Sequence, residues 1–240
     1  MATIIREPEV TMTLSSAIQR ISNTEQRVLI VGQKLATNPA TAIATTAVSG
    51  TLYTNLGSQT SVDALVGSGS VASNMYRNFR KINSVTRVDM IPLSDSGSTK
   101  ATGTFVFSGT SSEDNTLSFS VGSESDHTYV MDIVSGTTAT ANASALATLI
   151  NADTSCPATA GASTGTVTLT ARNAGTLGNF IGLAVDGTVA GVTMSCTVMT
   201  GGATDPSMTA VFDVIAGLRY QTMRGAYLQQ QAVPRQVIRS

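Results

Sequence analysis

Near residue 96 the spacing of apolar side chains changes, and no single type of sheet accommodates both spacings. Ahead of that point, "QRVLIVGQ" (26–33) holds a compact apolar run, Val28 to Val31, stopped by Gly32. Such a run suits a strand buried on both faces of a parallel sheet. The stretch 36–60 is rich in small residues, with a short strand near "SGTLYTNL". From Ser70 to Asn83, Ala72, Met75, Tyr76, Phe79 and Ile82 recur at helical spacing, with Ser68 or Ser70 placed to cap the start. Arg77, Arg80 and Lys81 fall on the opposite face, toward solvent or a partner. "VTRVDMIPL" (85–93) reads as a second strand, so strand, helix and strand form one βαβ unit.

Beyond the linker-like "SDSGSTKATG" the apolar residues alternate instead. Phe105 and Phe107 share a face, as do Leu117, Phe119 and Val121, then Tyr129, Met131 and Ile133. A helix over 139–152 would bury Ala145, Leu146, Leu149 and Ile150, with Asn151 near its end. Val167, Leu169 and Ala171 alternate with threonines, and so do Val192, Met194, Cys196 and Val198. The expectation is a small sheet of about five strands with one packed helix. After "TGGATDP" the period turns helical again. Pro206 suits a first turn, Thr204 or Asp205 a cap, Met208, Val211, Phe212 and Ile215 a buried stripe, and Gly217 the end.

The chain thus reads as α+β, a partial α/β frame interrupted by a β-rich module with one helix. The expected divisions are an N-terminal arm at 1–25, strand-like but broken by Pro8; the first part of the frame at 26–98; the insertion at 99–203; and a return to the frame with an irregular C-terminus at 204–240.

Only 12% of the 240 residues are charged, against a usual level of about 25%. So little surface charge suits a chain whose surface meets other subunits. The net charge of −1 is unevenly spread. Residues 1–94 carry eight Lys/Arg and five Asp/Glu, 95–213 carry two and ten, and 214–240 carry four Arg and no acid. Either these are separately solvated faces, or segments of opposite potential meet between copies. Nothing is basic enough to argue for nucleic acid, and no run approaches a membrane span. "MATIIREPEV" lacks the apolar core of a signal peptide, so folding in the cytoplasm is expected. Cys156 and Cys196 have no zinc spacing, and Cys196, on the apolar face of its strand, is expected to be a buried thiol.

Candidate chemistry is sparse. "GSGS" (67–70) precedes a helix, but about forty residues separate it from the strand a phosphate loop would need, so Gly67 and Gly69 are read as a tight turn. His127, the only histidine, sits among polar residues in a stretch read as an exposed loop. A set with Asp126 and a serine lacks a GxSxG elbow. Glu113–Asp114 and Glu124/Asp126 fall in turns without calcium-loop spacing and are read as solvated. No catalytic, cofactor-binding or metal-binding residue is assigned, and neither enzyme activity nor a cofactor is expected.

The order "RVLIVGQ", "LVGSGSVASNMYRNFRKIN", "IPL", "ATGTFVFSG", "VTLTARNAGTLGN" and "TGGATDP" resembles the tail sheath proteins of Mu-like contractile-tailed bacteriophages over roughly residues 25–222. The turns "LTARNAGTLGN" and "TGGATDP" carry the most specific part of the likeness. The resemblance implies a subtilisin-like sheath frame that is not a protease, with the β-rich module inserted and displayed outward. It implies a virion subunit that stacks in six-fold rings around an inner tail tube, contracts, and meets copies of itself, the tube, the baseplate and the tail terminator. It also implies terminal arms that add strands to neighbouring sheets; Ala2 to Thr13 would be one. Family members run longer than this chain, so the frame is expected to be incomplete. On this reading the two small-residue turns are joints. An adhesin-like surface-binding virion module that does not contract is the alternative.

Overall fold

A computed structural model describes residues 26–96, 99–122 and 127–216, and the backbone of 222–225. The arm at 1–25, Gly217 and most of the C-terminal stretch lie outside the described residues. In chain order the elements begin with β1 (Arg27–Gln33), a small hairpin β2 (Thr37–Asn38) and β3 (Ile43–Ala44), helices α1 (Gln59–Val66) and α2 (Val71–Ile82), and β4 (Arg87–Leu93). The β-rich part holds β5 (Thr102–Gly109), β6 (Asn115–Val121), β7 (His127–Ile133), α3 (Ala139–Ala152), β8 (Ala158–Ser163), β9 (Thr166–Ala171), β10 (Leu183–Asp186) and β11 (Val192–Thr200). Then come α4 (Thr209–Ile215) and β12 (Thr222–Gly225).

β1 lies at the centre of a parallel sheet ordered β12-β1-β4. Because side chains alternate along a strand, its apolar run serves two cores at once. Val28 and Ile30 pack with Val88, Met90, Val62, Ala72 and Tyr76 under α1 and α2. Leu29 and Val31 pack with Ile91, Leu93, Met208 and Val211 on the face covered by α4. That is the doubly buried strand the run predicts. On the far side of β4, where a short strand is expected, Tyr53 forms a single antiparallel bridge to Met90 and no strand develops. β12 falls in the stretch expected to be irregular. Its four residues pair in parallel with β1, so the backbone rejoins the sheet despite a polar sequence.

α2 spans the expected helix, with Ser70 as its N-cap accepting from Ser73 N. Two details differ. Ile82 is 90% exposed, beyond the reach of the core. Arg80 does not face away: its guanidinium stacks 5.1 Å from the Tyr76 ring and donates to the carbonyls of Leu56 and Thr86. α1 has no counterpart in the sequence reading. Its Thr, Ser and Val are weak helix formers, and only Val62 and Val66 are buried.

Among the described residues the β-rich part has seven strands in two sheets rather than about five in one, β11-β5-β9-β8 and β10-β6-β7. The named strand faces are buried or partly buried, except at the second half of β11 where Cys196 and Val198 are exposed, and they meet in one core with α3. Phe105 and Phe119, from different sheets, pack edge to face at 5.4 Å. The buried stripe of α3 is Asn142, Ala143, Leu146, Ala147 and Ile150; Ala145 is exposed and Leu149 is 39% exposed. The face that packs on β8 and β5 is centred on Leu146 and Ile150 with Ala143 and Ala147 beside them, which leaves Leu149 at its margin. On β11 a register shift between Thr197 and Thr200 turns Met199 inward and leaves Val198 73% exposed. Cys196, expected to be buried, is exposed on this edge strand, whereas Cys156 is buried.

Candidate functional site at the seam

The two small-residue turns fold against each other and against the parallel sheet. Asn173, buried, bonds in three directions: Nδ2 donates to Lys34 O (3.1 Å) and Asp95 Oδ1 (2.9 Å), while Oδ1 accepts from Val71 N (3.0 Å) at the start of α2. Asp95 Oδ2 accepts from Ala174 N (2.9 Å). Gln33, at the end of β1, donates from Nε2 to Asp95 Oδ1 (2.9 Å) and to Ala174 O (2.7 Å). Three segments distant in sequence are therefore fastened around one carboxylate.

The second turn closes on the first. Asp205 accepts from Thr176 N and Thr176 Oγ1, both at 2.7 Å. Asn179 and Gly202 exchange a pair of bonds at 2.8 and 3.0 Å. A Cβ on Gly202 would strike the Gly175 carbonyl oxygen, so the approach admits only glycine. This overturns the expected helix cap. Asp205 and Thr204 do not cap α4, whose N-cap is Met208 without a side-chain bond, and Pro206 precedes its first turn. The turn at 176–180 needs the Asp205 carboxylate more than α4 does, since α4 is held by Met208 and Val211. Phe212, expected in that stripe, is 42% exposed.

"GSGS" makes the tight turn expected of it, with Gly67 and Gly69 at φ +87° and +75°. A Cβ on Gly69 would lie 2.6 Å from Cys156 O and 2.7 Å from Thr154 O. The turn is therefore a close contact with the β-rich part.

Between α2 and the β-rich part runs a cleft of about 460 Å³, lined on one side by Asn74, Arg77, Asn78 and Lys81 and on the other by His127, Asp153, Ser155 and Phe180. His127 is not an exposed loop residue. It begins β7, its side chain is 9% exposed, and Nδ1 lies 2.7 Å from Asp153 Oδ2. The sequence reading missed Asp153 because its partner is 26 residues away. Asp153 also accepts from Tyr129 Oη at 3.1 Å and from Ser155 N and Oγ at 2.9 and 2.6 Å. Burial would push its carboxyl up, but the bonds from Ser155 and His127 prevail and hold the pKa at about 2. Burial raises the Tyr129 hydroxyl well above its usual range, raises the Cys156 thiol and lowers the neighbouring Arg172. Arg172 spends its Nε on Cys156 O at 2.7 Å. A carboxylate orienting an imidazole is a familiar acid–base pair, yet the Ser155 hydroxyl donates to Asp153 rather than facing the ring as a nucleophile would. Asp126, the other imagined partner, lies outside the described residues.

Glu113 and Asp114, read as solvated, fasten loops: Glu113 Oε1 accepts from Ala190 N and Asp114 Oδ1 from Ser135 N. Among the described residues no three His, Cys, Asp or Glu side chains gather as metal ligands, and no helix is long and apolar enough to cross a membrane.

No family model matches the chain. It is similar to the Mu-like prophage FluMu tail sheath protein of Haemophilus influenzae, 32% identical over 189 residues that cover 76% of this chain and 37% of that protein. The chain spans little more than a third of the length of the curated relative it matches.

Proposed function

We propose that this chain, a relative of the tail sheath proteins of Mu-like phages, is a structural subunit of a contractile phage tail, resident in the virion. The observation that carries the reading is the sequence identity with the Haemophilus tail sheath protein over three quarters of this chain. Residues 26–98 and 204–240 form part of a subtilisin-like sheath frame, and 99–203 form an insertion displayed outward. Copies stack in rings around an inner tube, joined by arms such as Ala2 to Thr13, and baseplate and terminator bound the stack. A lattice that changes state needs subunits that move as rigid bodies. The hydrogen bonds around Asp95 and Asp205 supply such stiffness at the junction. The subunit does no bond-making chemistry; His127 and Asp153 serve packing.

Electron microscopy of the purified chain tests this. Rings or tubes are the expected outcome. Discrete particles that bind glycan would overturn the reading in favour of a surface-binding virion module.

A further inference from the structure

β1 and β4 run parallel and side by side with Gln33 opposite Leu93, so the residues that follow them, Lys34 and then Ser94 and Asp95, leave the sheet at the same end. The carboxyl ends of parallel strands are where α/β sheets commonly hold ligands. A pocket of about 260 Å³ opens here, lined by Lys34, Ser94 and Asp95 from the sheet and by Lys100 and Arg172 from the β-rich part. Between residues 99 and 203 these two are the only Lys or Arg, so both cations of an otherwise acidic stretch meet at this one place.

Among the described residues no acid forms an ion pair with any of the three cations. Lys34 Nζ donates to the neutral Thr45 hydroxyl at 3.1 Å. Arg172 donates from Nε to Cys156 O, and its two terminal nitrogens make no hydrogen bond to a described residue. Lys100 is exposed and bonds to no described residue. Asp95 is the single carboxylate lining the pocket, and its oxygens already accept from Gln33, Asn173 and Ala174. Three positive charges against one negative leave an excess of two. Arg172 is half-buried, and its loss of water lowers its pKa. Like charges brought together with so little water are costly unless an anion meets them.

We infer that this pocket is a binding site for a small oxyanion of the phosphate class, held by Lys34, Lys100 and Arg172. The excess of two charges matches a phosphate dianion. The volume of about 260 Å³ falls just below the roughly 300–1,000 Å³ of pockets that take drug-sized ligands, so the occupant is small. The two ammonium groups act as point charges on flexible stems, and the guanidinium adds donors in a fixed plane. A bound anion ties the ends of β1 and β4 to the β-rich part, beside the joint already built around Asp95. The site shares no lining residue with the cleft beside α2, and it does not depend on the assembly reading.

The test is equilibrium dialysis of the full chain against radiolabelled inorganic phosphate, above neutral pH and at an ionic strength held constant with sodium chloride. Saturable binding of one phosphate per chain is expected. Lys100→Gln and Lys34→Gln should each weaken it about tenfold, because each removes a charge-assisted bond. Neither side chain belongs to a core, and circular dichroism checks that both variants fold. Lys81→Gln, which removes a cation outside the pocket, should leave binding unchanged. Absence of saturable binding overturns the site. Binding indifferent to both Lys34→Gln and Lys100→Gln places the anion elsewhere and overturns it too. Equal weakening by Lys81→Gln would show a general response to net charge instead of a site. Each of these failures leaves the assembly reading standing.

Discussion

Asp153 gathers a backbone N–H, two hydroxyls and an imidazole around one carboxylate, and it works only while ionised. Its pKa is about 2 in the folded chain, against an ordinary 3.8 when unfolded. The stability it contributes is therefore complete above about pH 4 and is lost as the pH falls toward about 2. Thermal unfolding followed across that window should show a slope that Asp153→Asn flattens; an unaltered slope would assign the acid sensitivity to other carboxylates. The sequence hid this residue for a physical reason. His127 and Asp153 stand on different elements, and each taken alone looks like an ordinary polar residue near the end of a strand or helix.

At the level of elements, the two interlocked turns should act as distinct joints. Asn173→Ala removes a buried side chain and strands the part-buried Val71 N–H and Lys34 carbonyl, a loss of about 3 kcal/mol measurable by denaturant unfolding. Asp205→Ala frees two donors on Thr176 near the surface and should cost about 1–2 kcal/mol, while making the stretch near 200–207 the first site of limited proteolysis. Equal losses from the two changes would contradict the difference in burial. Strands were the most legible elements. β1, β4, β5, β6 and β9 follow their apolar spacing because each buries one or both faces fully. Spacing failed at the shift on β11 that exchanges Val198 for Met199, and on α3, whose buried face is turned so that Ala143 and Ala147 lie within it and Leu149 at its margin. α1 escaped notice because few of its residues are buried and its composition favours turns. The small-residue turns announced a joint, but Gln33 and Asp95, which complete it, carry no local signal.

For the molecule as a whole, the split between a basic α2 face and an acidic β-rich part makes a prediction about solution conditions. If these surfaces meet between copies, self-association should weaken several-fold as salt is raised from about 0.05 to 0.5 M, since exposed charges are screened over a shorter distance. Polymers indifferent to salt would assign the contacts to apolar surface and shared backbone bonds. A different consequence follows from Thr99, whose carbonyl accepts from both Gly175 and Ala203. The chain departs on its hundred-residue excursion and comes home to the same atom, so a short bridge could replace the detour without redirecting the rest of the path. Yet the excursion leaves Asn173 and Ala174 wedged beneath β1, and a shortcut would leave Gln33 and Asp95 with nothing to hold. The β-rich part is thus easy to exchange for another of its kind and hard to do without.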